Sequence, residues 1–554
     1  MKAIILLASA LNLAGQVGLI RPQTSPAEAQ AQMTGKASIE GTVVDSLTGQ
    51  PVRKATVMLS GRIGLNAVTD TSGHFAFRLL PAGRYTIRAS NDNYPESRNP
   101  VQVARTQFFV TVGEDEQKRD VHLKLVPGAS VSGRVVDEED NPMRGCGLSA
   151  MQFHETESGP APMAMESAQS DDKGKYRIRK LPPGKYYIMA RCTPGVPLPH
   201  ALVLRSATSD LPSLVYPSRF YPGVADLAAA ARVAASAGAN VMGIDFKMSP
   251  AAGLTIRGHA AGLPSGGVNQ VMLESRDPST RQWQLPWERP RARINGQTGE
   301  FEIRNVLPGS YDLVASSSSE SRFYFARVPV EVGATKPHPV DLELAEAPPV
   351  SGIVSIDGDA TPPTNSLKVR FTPLDRQLMM GPPPRADVQS DGSFSFVSVV
   401  PGHWRLDVDG ATYLKSVTRG YEQVSPNDLE IGVSAVSLKI VLGTKWGQID
   451  GAVSDTVSSA EPIYGFLWAA GESTYIRNFA FNNRQPQQVT NLPPGKYYGC
   501  AIATAQFSLS DYALRKALEG RCAATELDEG GHATMQMPLI SGTELEQLID
   551  KLEQ

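Results

Sequence analysis

Leu80-Pro81-Ala82-Gly83-Arg84-Tyr85 and Leu181-Pro182-Pro183-Gly184-Lys185-Tyr186 are two copies of one phrase, and the chain holds three more. These are Leu307-Pro308-Gly309-Ser310-Tyr311, Val400-Pro401-Gly402-His403-Trp404 and Leu492-Pro493-Pro494-Gly495-Lys496-Tyr497. Pro presets φ for a turn, Gly supplies a positive φ, and the aromatic has the β-propensity to open a half-buried strand. Each phrase therefore predicts a strand–turn–strand corner. Successive corner aromatics are 101, 125, 93 and 93 residues apart. A second phrase, a Gly flanked by β-formers, precedes each corner by 44 to 53 residues: Gly41, Gly133, Gly258, Gly352 and Gly451. Two markers in fixed order, five times over, define a tandem array.

Alternation in Tyr85-Thr86-Ile87-Arg88-Ala89 and Tyr186-Tyr187-Ile188-Met189-Ala190 turns one face inward, as in an antiparallel sheet packed on a second sheet. Upstream of four corners lie polar turns: Asp70-Thr71-Ser72-Gly73, Asp171-Asp172-Lys173-Gly174, Asn295 to Gly299 and Ser390-Asp391-Gly392. Each offers one or two oxygens, fewer than a calcium loop needs, and reads as a hairpin turn. The expected fold is all-β, an array of about five antiparallel β-sandwich domains. The boundaries read as 36–126, 127–251, 252–347, 348–444 and 445–554. Short Pro-containing joints near Pro127, Pro250 and Pro348-Pro349 suggest a semi-rigid rod. A short helix is expected near residues 510–520, capped by Asp511, and a second from Thr543 to Leu552. Ala225 to Ala239 could be helical by Ala propensity, though its continuation Asn240 to Phe246 looks like a closing strand, and the segment is left open.

Lys and Arg number 53 against 56 Asp and Glu, a formal charge of -3. No basic excess exists to neutralise a phosphate backbone, so nucleic acid is not an expected partner. Residues 1–31 read as a secretory signal peptide: Met1-Lys2, an apolar run from Ala3 to Leu11, then small-x-small sites at Ala27-Glu28-Ala29 and Ala29-Gln30-Ala31. Asn12, Gly15, Gln16 and Gly18 break that run too early for a membrane span, and no later segment is long and apolar enough. The mature chain is expected to be exported, to the periplasm, the cell surface or the medium. Its four cysteines fall in two local pairs, Cys146 with Cys192 and Cys500 with Cys522, each inside one repeat unit. In an exported protein they are expected to form disulfides, with buried free thiols the alternative.

The first copy, through Ile39-Glu40-Gly41-Thr42-Val43-Val44-Asp45, Gly49-Gln50-Pro51-Val52, Thr69 to Phe75 and Leu80 to Tyr85, resembles the carboxypeptidase regulatory-like domain. That family is a transthyretin-like, seven-stranded β-sandwich. The second copy is similar through Val131 to Asp137 and Asn141-Pro142, whereas copies three to five lack the Gly-x-Pro-Val turn and join through the array. The resemblance implies a fold and export more than an activity. In carboxypeptidases such a domain stands beside the catalytic domain and does no chemistry. Related sandwiches occur in surface stalks and in the carbohydrate-binding-like fold group.

Chemistry is sparse in the sequence. His154-Glu155-Thr156-Glu157 has the His-x-x-Glu spacing of zinc carboxypeptidases, but no α/β alternation supplies the catalytic domain such a site needs. No His-x-x-x-His, nucleophile elbow or phosphate loop occurs, so no enzyme, metal or cofactor is expected. The strongest binding signal is Trp283-Gln284-Leu285-Pro286-Trp287, in an Arg- and Pro-rich loop of the third copy. Trp283 and Trp287 could stack on sugar rings or anchor an interface, or else pack on a neighbouring module. The expected role is thus non-enzymatic binding of a polysaccharide or glycan, or alternatively a structural, adhesin-like element with an envelope protein as partner.

Overall fold

The computed structural model describes residues 35–96, 108–156, 159–192, 213–284, 289–319, 321–333, 338–358, 367–374, 383–410, 412–454, 463–471, 476–481, 485–503 and 511–552. It is an all-β chain of five sandwiches, spanning 37–125, 129–247, 251–346, 350–443 and 447–541. The first is a unit of its own, and the other four form a second unit.

In the first module, strands His74–Leu80, Ala37–Asp45 and Gln117–Leu125 form one sheet, and Leu65–Val68, Thr56–Ser60, Gly83–Ser90 and Phe108–Val112 the other. Its opening strand is central, antiparallel to His74–Leu80 and parallel to the closing strand Gln117–Leu125. The same arrangement recurs four times. Ala129–Val136 lies between Lys175–Leu181 and the broken closing strand Asn240–Val241/Phe246–Lys247. Ala251–Ala261 lies between Glu300–Val306 and Val340–Glu343. Val350–Ile356 lies between Ser393–Phe396 and Val436–Gly443, and Gly447–Val453 between Gln487–Leu492 and His532–Met537.

Both sequence phrases have a physical reason. The corner aromatic always bonds the carbonyl four residues back: Tyr85 OH donates to Pro81 O at 2.7 Å, Tyr311 OH to Leu307 O at 3.0 Å and Tyr497 OH to Pro493 O at 2.7 Å. Tyr186 OH does the same to Pro182 O, and Trp404 substitutes its Nε1–H, 3.0 Å from Val400 O. The ring stays in the core while its polar tip is satisfied. The opening-strand glycine marks close passage of the closing strand. A Cβ at Gly41, Gly133, Gly258 or Gly352 would lie 2.0 to 2.2 Å from a carbonyl oxygen of that strand. At Gly41, Gly133, Gly258 and Gly352 the facing residue is an aromatic, Phe75, Tyr176, Phe301 or Phe394, and the rings of Phe75, Phe301 and Phe394 come within 2.9 Å of the missing Cβ's place. The polar turns are closed by their own Asp or Asn: Asp70 Oδ1 accepts from Ser72 N and His74 N, Asp171 Oδ1 from Lys173 N and Lys175 N, and Asn295 Oδ1 from Gln297 N. The Ser72 hydroxyl and the His74 amide hold the Asp70 carboxyl below the usual carboxylate range.

Six residues before the corner aromatic, Leu79, Lys180, Asn305 and Asn491 take left-handed φ of 57° to 62° and accompany a register shift in the ladder. The fourth module has Ser398 at this position and an unbroken register.

Ala225 to Ala239 is not a long helix. After one 3-10 turn, Leu227–Ala229, the strand Arg232–Ala235 pairs with Gly184 to Tyr187. Its alternation, with Val233 and Ala235 buried, outweighs alanine's helix propensity. Helices α1 (Pro278–Trp283), α2 (Tyr512–Leu518) and α3 (Gly542–Leu552) complete the chain. Asp511 caps α2, accepting from Leu514 N at 2.8 Å. Strand Ile463–Ala469 of the fifth module is buried on both faces over its first six residues. Leu514, Leu518 and Ile549 of α2 and α3 are buried as well, so this module carries a helical layer beside its sheets. Helix α2 also lies against strand Gly147–Thr156, so the fifth module touches the second.

Candidate functional site

Trp283 ends α1 and is half-buried. Its indole meets the ring of Phe220 edge-on, centroids 5.1 Å apart, beside Met151, Met189 and Leu227 of the second module. Trp287 lies outside the described residues. The second and third modules share a further bond: strand Ser213–Val215, which precedes the Arg219–Phe220 strand of the second module, pairs with Ala251 to Gly253 of the third. Behind α1 stands a buried ion cluster that the sequence did not advertise. Glu274 accepts from Arg289 at 3.0 Å and from Arg327 at 3.2 Å, with the Glu274 side chain 4 % exposed. Burial pushes its carboxyl up, while Arg327 and Arg289 pull it down.

The next joint uses Ser398. Its hydroxyl accepts from Phe323 N at 3.0 Å and reaches Ala347 O at 3.2 Å, and the Phe323 ring packs on the core of the fourth module. Where four modules place a left-handed bulge, the fourth thus holds its neighbour.

Between the fourth and fifth modules, Lys415 Nζ pairs with Asp357 of its own module and with Glu529 Oε2 of the next at 2.6 Å. Tyr413 OH donates to Glu529 Oε1 at 3.1 Å, and its ring meets Trp446 edge-on at 5.0 Å. Burial pushes the Tyr413 phenol up to about 12, and the Lys415 ammonium draws the Glu529 carboxyl below its usual range. Beside this joint opens a cleft of about 340 Å³. Arg370, Arg405, Lys415 and Lys496 line it, against Asp407 and Asp409. Asp407 is loosely held, 3.4 Å from each of Arg370, Arg405 and Thr372. Thr412 is 9 % exposed, and its Oγ1 and Arg370 Nε are buried without a hydrogen-bond partner among the described residues. This cleft is not legible in the sequence. Its one local sign was the alternation Arg405-Leu406-Asp407-Val408-Asp409, which also describes any solvated sheet face.

His154 falls in strand Gly147–Thr156, and Glu157 lies outside the described residues. Among the described residues no three His, Cys, Asp or Glu side chains converge to hold a metal ion. Cys146 is joined to Cys192 and Cys500 to Cys522 by disulfides. Reduction should destabilise the second and fifth modules by roughly 3–4 kcal/mol each on a loop-closure model. Denaturant titration with and without reductant checks this, and the other three modules should unfold at unchanged denaturant. Among the described residues no helix is long and apolar enough to cross a membrane.

Residues 38–124 match the carboxypeptidase regulatory-like domain. No curated protein matches the chain. Several solved structures are similar at low identity. The Bacillus anthracis TIE protein is 12% identical over 56% of this chain and 50% of its own, TM-score 0.17, so the chain spans half that protein's length. GBS52, the minor pilin of Streptococcus agalactiae, is 14% identical over 39% of this chain and 97% of its own, TM-score 0.23. The shaft pilin SpaA from Lactobacillus rhamnosus GG is 11% identical over 39% of this chain and 98% of its own, TM-score 0.20.

Proposed function

We propose that this chain is a non-enzymatic, exported structural element that works by binding protein partners at the cell envelope. The observation that carries the reading is where its polar and aromatic side chains outside the sandwich cores are engaged. Trp283 lies on Phe220, Ser398 holds the Phe323 backbone, and Lys415 bridges Asp357 and Glu529. All three are joints between modules. Joints of this kind fix strand edges and loops of different modules in mutual register, which favours multivalent contact with other proteins. Two disulfides suit an oxidising compartment. The competing reading, a polysaccharide ligand, rests on the Trp283 and Trp287 loop.

Chemical crosslinking of the tagged full chain in intact cells that make it tests the proposal. Discrete adducts with one or a few envelope proteins are expected. Absence of protein adducts, together with saturable glycan binding lost in a Trp283→Ala, Trp287→Ala variant, would replace this reading with the polysaccharide one.

A further inference from the structure

We propose that Asn295 is a site of spontaneous covalent modification, at which the side-chain amide is lost as ammonia and the hairpin turn of the third module acquires a carboxylate. The inference does not depend on the protein-binding reading above.

Sequence and placement select the residue. Asn295-Gly296 is the chain's one Asn-Gly step. Both residues are exposed, in the turn that joins Arg291–Arg293 to Glu300–Val306. A side chain on the residue after asparagine obstructs attack of that residue's amide nitrogen on the carboxamide carbon, whereas glycine leaves the approach open. Gly296 N–H has no hydrogen-bond partner among the described residues, so the nucleophile is not tied up. The electrophile is already held. Asn295 Oδ1 accepts from Gln297 N at 2.9 Å and from Thr298 N at 3.2 Å. These donors face the oxygen that takes up negative charge as Cγ becomes tetrahedral, the service that an oxyanion hole performs.

The reaction balances with water as its only co-reactant. The Gly296 nitrogen gives its proton to solvent hydroxide and bonds to Asn295 Cγ, the carboxamide nitrogen leaves as ammonia, and a five-membered cyclic imide remains. Water then opens the imide. Cleavage of the new N–Cγ bond yields aspartate, and cleavage of the original peptide bond yields an isoaspartyl link. Nothing is oxidised or reduced.

The sister modules show which product the turn accepts. Asn295 N–H donates to Glu300 O, and its C=O accepts from Gly299 N. Asp70 makes the same two bonds with His74 and Gly73, and Asp171 with Lys175 and Gly174. Each of these carboxylates also accepts from the amide two residues on, Ser72 N or Lys173 N, as Asn295 does from Gln297 N. A carboxylate at 295 therefore inherits bonds that the turn already makes. An isoaspartyl link would lengthen the main chain by one carbon and pull both turn-closing bonds out of register.

The test keeps the purified full chain for weeks in mildly alkaline buffer at body temperature and follows each asparagine by peptide mass mapping. A synthetic peptide of residues 291–301 sets the scale. Asn295 should convert before any other asparagine, at least as fast as in the peptide, and faster as pH rises. Fragmentation that separates the two products should find aspartate in excess. Gly296→Ala, whose Cβ would meet only the side-chain end of Asn269 at 3.1 Å, should slow the loss about ten-fold or more. Asn295→Asp should unfold at the parent's denaturant midpoint. Asn295 persisting as the amide while the peptide converts would overturn the inference, as would earlier conversion of another asparagine. Isoaspartate in excess, or a lowered midpoint in Asn295→Asp, would overturn the assignment of the product.

Discussion

Glu274→Leu is expected to destabilise the third module by about 3–5 kcal/mol, the cost of leaving a buried charge without its partner. The Arg289 side chain is 8 % exposed and depends on Glu274 Oε1 at 3.0 Å, while Arg327 reaches Oε2 at 3.2 Å from strand Arg322–Val332, two strands away in the same sheet. Leucine matches the bulk and removes both acceptors. Arg289 must then stay buried unpaired or pull out, taking with it the chain around α1. The control is Glu346→Leu, which breaks an ion pair with Arg322 in which both side chains are more than a third exposed. That change should cost no more than about 1 kcal/mol. Denaturant unfolding of both variants decides. Equal, small losses would mean that the Glu274 cluster is solvated in practice.

Gly258→Val should exceed about 4 kcal/mol, or abolish folding of the third module outright, because the collision is with backbone. A Cβ there would stand 2.1 Å from Val340 O and 2.4 Å from the Phe301 ring. The ring could turn away, but the carbonyl belongs to the closing strand and can move only by unzipping it. Gly333→Val provides the comparison, since among the described residues nothing lies within 4 Å of a Cβ at that position. It should fall within about 0.5 kcal/mol of the parent. Loss of protease resistance confined to residues 251–346 would identify the failing module.

The difference between these two sites also shows what could be read from the sequence. Gly258 belongs to a repeated phrase, and its repetition with the Pro-Gly-aromatic corner was enough to recover five sandwiches. Both phrases report backbone requirements, close passage and a turn, that side-chain substitution cannot satisfy otherwise. Glu274 carries no such mark. Its partners lie 15 and 53 residues away, and burial turns an ordinary Glu into a critical one. The cleft was invisible for the same reason, since Arg370 and Lys496 meet only through the docking of two modules. Trp283 was singled out as a rare aromatic in a polar loop, but the sequence could not show that Phe220 stands opposite it. At Ala225 to Ala239 local propensity and tertiary pairing disagreed, and pairing prevailed.

The parallel pairing of the opening strand with the closing strand of its sheet in every module sets how the chain carries tension. A chain pulled from its ends draws each opening strand and its closing partner in opposite directions along their length. The load falls in shear on all bonds of the ladder together instead of peeling them one by one. In the fourth module that ladder runs unbroken from Val350 to Ile356 against Val436 to Leu442. In the second it is interrupted between Val241 and Phe246. The second is also where Cys146 and Cys192 are tied, so a slip there releases no slack from the residues between them.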